Sequence, residues 1–268
     1  MDLRSRFNLN STPFTREIRV EHLFLPPHIA EALDGLHDAV QQRMSAALIA
    51  PAGSGKTAVL RALVARLPQA RYHCHYVKVS DLSKRDLCRE IAVTMGLPSA
   101  GSYNMLIRRI QENLVEKSDT DGLRPVLLVD EAQDLRPDVL NMLAVVTNFD
   151  MDSRLVLSVV LAGQPPLATM LRRSEYEGVA RRISHYSTLR TFSRDETQVY
   201  ITHRCSVAGA VTVPFDPGAI DAIYEIGRGN LRATDRLALK ALEVADKRQV
   251  SVVDATLVID ARRTLWPA

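Results

Sequence analysis

A short apolar run, a glycine-rich loop and an amphipathic segment follow one another in AALIAPAGSGKTAVLRALVARL, residues 46–67. In G-x-x-x-x-G-K-[ST] loops, backbone N–H groups and the start of the next helix cradle phosphate oxygens, the lysine reaches the β and γ phosphates, and the hydroxyl binds Mg²⁺. Ala50 replaces the usual first glycine, which is tolerated if its φ angle stays negative and Gly53 provides the turn. The pattern predicts a nucleotide site. Its predicted contacts are Ala52, Gly53, Ser54, Gly55, Lys56, Thr57 and Ala58.

A second motif, PVLLVDEAQ at residues 125–133, is an apolar strand that ends in two acids. Asp130 is expected to bind Mg²⁺ together with Thr57, directly or through water. Glu131 is expected to align and polarise the attacking water, because a loose phosphoryl transition state requires mainly positioning and charge neutralisation. A glutamate directly after the aspartate indicates hydrolysis rather than transfer to a small molecule. The alternative interpretation is a solvated strand end that happens to carry two acids.

Strand and helix patterns alternate as far as Leu189 and are replaced by helical patterns alone after Thr191. The alternating part predicts an α/β fold with a parallel five-stranded sheet covered on both faces. The predicted strands are residues 46–50, 72–79, 126–129, 155–161 and 185–189. We therefore predict an α/β nucleotide-binding domain over residues 1–192, of which 1–27 are an irregular segment, and a small all-helical domain over residues 193–268.

Composition excludes several classes of protein. The 268 residues carry a net charge of +3, and no apolar run approaches the 18 residues of a membrane span. The N-terminus is polar, which argues against a secretory signal, and the three cysteines lack paired spacing. A bacterial cytoplasmic protein without a membrane partner is expected. Trp266 is expected to be a packing anchor or a contact for a partner.

The order of five motifs resembles that of the AAA+ ATPases. These motifs are the glycine-rich loop, LLVDEAQDL at 127–135, LAGQPPL at 161–167, RRI at 181–183 and GRGNLR at 227–232. More narrowly, the chain resembles the ExeA/TniB/TnsC group, which includes bacterial transposition helper ATPases. The segments RFNLNSTPFTREIRVEHLFLPP and NFDMDSRLVLSVVLAGQPPLATML are similar to segments of that group. The resemblance implies an AAA+ P-loop NTPase fold whose helical domain is a lid.

The resemblance also implies roles for individual residues. Gln164 is at the position of the sensor-1 polar residue, although it could be a plain turn amide. Arg182 is at the arginine-finger position, with Arg181 as its rival, and would reach the neighbouring subunit's nucleotide. Arg232 is at the sensor-2 position at the start of a lid helix, where Leu231 replaces the proline usual in the family.

The function that the resemblance implies is ATP-dependent regulation of DNA transposition. In that group, ATP-bound subunits form ring-like or helical homo-oligomers around duplex DNA and recruit a DDE transposase. ATP and Mg²⁺ would be the cofactors, turnover would be slow before assembly, and hydrolysis would drive disassembly. Contacts with the DNA backbone carry no sequence preference, and Lys78, Lys84 and Arg85 are the candidates. Two alternatives remain open: an ExeA-type secretion-pathway ATPase, and an AAA+ switch that acts on protein alone.

Overall fold

The computed structural model describes residues 3–265, so Trp266 lies outside the described part. Two compact units form, one from Met1–Pro26, Gly53–Gly55 and Arg190–Ala268 and the other from Pro27–Ala52 and Lys56–Leu189. The strands are β1 (Ser45–Ile49), β2 (Tyr72–Lys78), β3 (Arg124–Asp130), β4 (Ser158–Gly163) and β5 (Ile183–Thr188). The α-helices are α1 (Leu3–Phe7), α2 (Pro27–Gln41), α3 (Lys56–Arg66), α4 (Lys84–Thr94), α5 (Tyr103–Asp119), α6 (Pro137–Val146), α7 (Pro165–Leu171), α8 (Glu177–Ala180), α9 (Arg194–Val207), α10 (Pro217–Gly227), α11 (Leu231–Lys247) and α12 (Ala255–Thr264).

The second unit is built on a five-stranded sheet in the order β2-β3-β4-β1-β5, in which every pairing is parallel. The predicted α/β fold is therefore confirmed. All residues of β1 and β4 are buried, and β3 is buried from its second residue onward. Strands covered on both faces are expected to be continuously apolar, as these sequences are. The carboxyl ends of β1, β3 and β4 meet at one edge of the sheet, because the strands are parallel.

The connection between α6 and β4 is a turn that the sequence patterns did not predict. Asp150, Met151 and Asp152 have positive φ angles of 49°, 56° and 68°. Three successive left-handed residues form a turn rather than a strand. After this turn β4 begins at Ser158, three residues later than the predicted Leu155. The short helices α7 and α8 were also not predicted, although prolines at the first positions of α7 are a recognised start signal.

The first unit consists of α1 and α9–α12, with an apolar core of its own. A capping box starts α9, since the Ser193 hydroxyl accepts from the Glu196 N–H and the Glu196 carboxylate accepts from the Ser193 N–H. Asp216 caps α10 by accepting from the Ala219 N–H at 2.6 Å. None of the helices in residues 3–265 is both long and apolar enough to cross a bilayer.

The N-terminal segment differs from its prediction. Residues 3–7 form helix α1, whereas we expected residues 1–27 to be irregular, and the segment groups with the helical unit instead of the α/β unit. Phe7 and Phe14 are buried in the helical core, and the Phe14 ring meets the Phe215 ring edge to face at 5.9 Å. Burial of these two rings explains the grouping, because each removes a large apolar area from water.

Candidate nucleotide site

The glycine-rich loop has the backbone that its sequence requires. Gly53 and Gly55 have φ angles of 75° and 101°, which glycine adopts at no steric cost. Ala50 is buried, is not among the residues with positive φ in residues 3–265, and donates its N–H to the Gly163 carbonyl at 2.9 Å. Alanine is therefore compatible with this position, as predicted.

Lys56 begins α3 and is buried. Its Nζ donates to the Ala50 carbonyl at 3.3 Å, the one hydrogen bond that the structure gives this amine within residues 3–265. An ammonium group has three donors, so two remain for phosphate oxygens. Burial makes an incompletely paired charge costly, which favours binding of an anion beside it.

Asp130 ends β3, is only 2% exposed, and accepts three hydrogen bonds. Thr57 Oγ1 donates to Oδ2 at 3.2 Å, Tyr76 Oη donates to the same oxygen at 3.0 Å, and the Glu131 N–H donates to Oδ1 at 2.9 Å. The structure thus brings together Thr57 and Asp130, the two residues predicted to bind Mg²⁺. A hydroxyl and a carboxylate in contact are the oxygen donors that suit Mg²⁺, so these residues fit the metal that a P-loop nucleotide brings.

Glu131 is held by two glutamine side chains. Gln133 Nε2 donates to Oε2 at 3.0 Å, and Gln164 Nε2 lies 3.4 Å from the same oxygen. Gln164 also donates its backbone N–H to Gln133 Oε1 at 2.8 Å. The backbone of Glu131 has the left-handed conformation, with a φ angle of 56°. The three residues come from the ends of β3 and β4, and the structure brings Gln164 to Glu131.

The pKa of Glu131 is lower than that of an ordinary glutamate. Partial burial acts in the opposite direction, but the hydrogen bond from Gln133, the charge of Lys56, the hydrogen bond from Gln164 and the charge of Lys78 together outweigh it. The side chain is therefore an ionised acceptor at neutral pH. A fixed, ionised carboxylate is suited to orient and polarise a water molecule.

Gln133 is a residue whose role the sequence analysis missed, although it lies inside the DEAQ string. A β-carbon on Gly163 would come 3.0 Å from Gln133 Oε1 and 2.7 Å from Leu167 Cδ2. The absence of a side chain at Gly163 thus makes room for Gln133. Tyr76 was missed as well, and no sequence signal marked it.

Residues 38–171, half of the chain, match the family described as AAA domain. The chain belongs to the AAA+ family. It is 32% identical over 245 residues to general secretion pathway protein A of Aeromonas hydrophila, an alignment that covers 90% of this chain and 44% of that relative. The chain therefore spans less than half the length of this relative.

Solved AAA+ structures have the same fold. Cdc6p from Pyrobaculum aerophilum matches with a TM-score of 0.74 at 16% identity, over 95% of this chain and 71% of that one. Aeropyrum pernix ORC1 in complex with DNA matches with a TM-score of 0.71 at 19% identity, over 93% of this chain and 68% of that one. The RuvB branch migration motor of Thermotoga maritima matches with a TM-score of 0.61 at 17% identity, over 88% of this chain and 67% of that one. Identities this low show the fold alone.

The two candidate arginine fingers of this AAA+ chain differ in environment. The Arg182 side chain is 24% exposed, and its terminal nitrogens donate to both oxygens of Asp152 at 2.7 and 2.8 Å. Its Nε is buried without a partner in residues 3–265. Arg181 is 76% exposed and pairs with Glu177 at 2.5 Å, one helical turn away. Both candidates are bound to acids of their own chain.

Arg232, at the sensor-2 position, is exposed at the start of α11 in the helical unit. Its backbone N–H lies 3.3 Å from the Gly53 carbonyl, within the same unit. Asn230 caps this helix through the Ala233 N–H at 3.1 Å. A β-carbon on Gly53 would come 2.5 Å from Asn230 Oδ1, so glycine is required there for its close approach as well as for its φ angle.

The three candidate DNA contacts do not form one cluster of unpaired charges. Lys78 is exposed at the end of β2, in register with Asp130, where its charge contributes to the low pKa of Glu131. Lys84 pairs with Asp138 at 3.7 Å, and Arg85 Nε donates to the Gly101 carbonyl at 3.0 Å. Lys84 and Arg85 lie together at the start of α4, whereas Lys78 lies beside the acids.

Proposed function

We propose that this AAA+ chain is an ATP-hydrolysing switch that assembles on duplex DNA and regulates transposition in the bacterial cytoplasm, where it recruits or activates a DDE transposase. The hydrolytic part rests on one observation: Glu131 is held ionised by Gln133 and Gln164 directly after Asp130. The transposition part rests on the resemblance of the motif strings to the ExeA/TniB/TnsC group.

The proposed chemistry assigns each side chain a separate task. Lys56 and the loop N–H groups bind the phosphates, and Thr57 and Asp130 hold Mg²⁺, which supplies charge neutralisation when it is bound. Glu131 orients the attacking water and accepts its proton. Gln164 keeps the Glu131 carboxylate in one position, so the reacting geometry costs little reorganisation.

Assembly would complete the site from a second subunit. Arg182 of the neighbour is proposed to contact the γ-phosphate, which requires it to leave Asp152. ATP then favours the assembled state because both subunits bind its terminal phosphate. Hydrolysis removes that shared contact and favours disassembly.

Binding to DNA is supported by structures of similar fold. Aeropyrum pernix ORC1 was solved in complex with DNA, and Drosophila ORC, at 18% identity and a TM-score of 0.63, was solved bound to DNA. We propose that Lys84 and Arg85 at the start of α4, and secondarily Lys78, contact the phosphate backbone. Such contacts bind without sequence preference and weaken as salt rises.

A secretion-pathway ATPase is the second candidate function. General secretion pathway protein A favours it, because 32% identity over 245 residues exceeds the identity of every structural match described above. The alignment includes less than half of that relative, so it supports a common ATPase unit more than the remaining activities of that protein.

Sedimentation with random-sequence duplex DNA tests the proposal. With a non-hydrolysable ATP analogue, we expect the protein to co-sediment with DNA, to be released by added salt, and to remain in the supernatant with ADP. Lys56→Ala should abolish this behaviour, and the paired surface change Asp138→Asn should preserve it. If the protein assembles with the analogue but ignores DNA, the DNA role is excluded and the secretion-type switch is favoured. If it binds no nucleotide, both candidates fail.

A further inference from the structure

Tyr76 makes a contact at the nucleotide site that no motif assigns. It lies on β2, an edge strand of the sheet, two residues before Lys78, which is in register with Asp130. Its hydroxyl donates to Asp130 Oδ2 at 3.0 Å, and Thr57 Oγ1 donates to the same oxygen at 3.2 Å. Two hydroxyls from different elements therefore hold one carboxylate oxygen.

The hydrogen bonds to Asp130 fix the orientation of its carboxylate. Oδ1 accepts from the Glu131 N–H at 2.9 Å, so both oxygens are oriented before any ligand binds. All three donors are neutral, and the carboxylate keeps its full charge for a cation. Hydrogen-bonded groups behind a metal ligand orient that ligand and tune its affinity.

Tyr76 is suited to this task because its hydroxyl is a donor that reaches Asp130 Oδ2. The side chain is 42% exposed, so it is not a core residue whose packing alone would account for it. A phenol hydroxyl is a neutral hydrogen-bond donor at physiological pH.

We propose that Tyr76 is a positioning residue that holds Asp130 ready for the Mg²⁺ ion of the nucleotide. It acts through Asp130 and touches neither the phosphates nor the attacking water. The proposal rests on the proposed function, since it presumes that Thr57 and Asp130 receive the metal of a bound nucleotide. It adds to that function a residue on β2 that sets how much Mg²⁺ the site requires.

Tyr76→Phe tests the proposal by removing the hydroxyl and keeping the ring. Binding of a fluorescent ATP analogue to the full chain is measured in EDTA and then across a Mg²⁺ titration. We expect half-maximal Mg²⁺-dependent binding to require about tenfold more Mg²⁺, with the affinity in EDTA unchanged.

Tyr72→Phe is the matched control. Tyr72 is the first residue of β2, in register with Arg124 rather than with the acids, and its hydroxyl has no hydrogen bond within residues 3–265. This variant should titrate like the wild type. Asp130→Asn gives a second measurement, because adding Tyr76→Phe to it should cause no further change in the Mg²⁺ requirement.

The possible results separate the two proposals. An unchanged Mg²⁺ requirement in Tyr76→Phe, or an equal loss of affinity with and without Mg²⁺, would overturn the positioning role. An additional shift in the Asp130→Asn background would also overturn it. Failure of the wild type to bind the analogue would instead contradict the proposed function. Thermal unfolding of each variant confirms that folded protein was compared.

Discussion

Asp130 and Asp152 both accept hydrogen bonds at both carboxylate oxygens, but the charge of their donors differs. Asp130 is buried, and its three donors, Thr57, Tyr76 and the Glu131 N–H, are all neutral. Asp152 is half-exposed, and both of its oxygens accept from the charged guanidinium of Arg182. The first carboxylate retains a charge that a cation can neutralise, whereas the charge of the second is already compensated.

The difference indicates which parts of the proposed site are ready in one chain and which would have to rearrange on assembly. Asp130 is oriented within the chain, so under the proposed function the binding of Mg²⁺ and nucleotide would cost little reorganisation there. Arg182 is bound to Asp152 of its own chain, so in the proposed assembly a γ-phosphate from a neighbour would compete with Asp152 for its two terminal nitrogens. A carboxylate and a phosphate present oxygens to an arginine in a similar bidentate way, which makes the exchange chemically reasonable.

Arg182→Ala has the largest expected effect on the arginine side of this comparison. We expect turnover in the DNA-assembled state to fall about 1,000-fold, because a finger stabilises transition-state charge, while ATP affinity of dilute protein stays unchanged. The measurement is steady-state hydrolysis with and without duplex DNA. Arg181→Ala is the control, since Arg181 is exposed and pairs with Glu177 one helical turn away. A larger loss in Arg181→Ala would reassign the finger to that residue.

Glu131→Gln probes the acid side and should lower single-turnover hydrolysis about 100-fold. Nucleotide binding should remain, because the carboxylate contacts Gln133 and Gln164 rather than the predicted phosphate-binding residues. Light scattering should show an assembled form that persists after ATP is added. Hydrolysis at the wild-type rate would remove Glu131 from the proposed chemistry.

Asp152→Asn should produce a smaller change in the opposite direction. Removal of the charge weakens the hold on Arg182, and half-exposed ion pairs contribute about 1 kcal/mol or less, so assembly with an ATP analogue should need up to about fivefold less protein. Analytical ultracentrifugation measures this concentration. Glu177→Gln, which releases only Arg181, should leave it unchanged. Assembly that needs more protein in Asp152→Asn would mean that Asp152 supports the finger instead of restraining it.

Asp235 in the helical unit is partly buried beside the cation of Arg204. Its titration should give the smallest effect, a change of protein stability with pH. Burial raises its pKa to about 6, although Arg204 at 3.3 Å and the Tyr200 hydroxyl at 2.8 Å act in the opposite direction. Because the folded pKa is raised, its favourable contribution is complete below the ordinary value near 4 and is lost as pH rises through about 6.

Urea unfolding at pH 4 to 7.5 measures this contribution. Wild-type stability should decline across that interval relative to Asp235→Asn, and the two curves should run parallel above pH 7. Wild-type stability that instead falls relative to Asp235→Asn as pH is lowered towards 4 would show that the bond to Arg204 outweighs burial. The charge of Asp235 would then be compensated by Arg204, as the charge of Asp152 is by Arg182.

Local sequence determined much of this protein. The loop at Lys56, the acids after β3, the capping box at Ser193 and the five parallel strands were each predictable, because each depends on side-chain periodicity or on turn and cap chemistry within a few residues. The compatibility of Ala50 also followed from the sequence, since it depends on the φ angle of one residue.

Only the tertiary structure decided which partners these residues have. The hydroxyl of Tyr76 reaches Asp130 across 54 residues of sequence, and Arg182 reaches Asp152 across 30. Those contacts depend on strand order, on register and on a left-handed turn at residues 150–152, none of which leaves a periodic signal. The sequence thus specified a nucleotide loop and two acids, and the packing of β2 beside β3 determined how the Asp130 carboxylate is held.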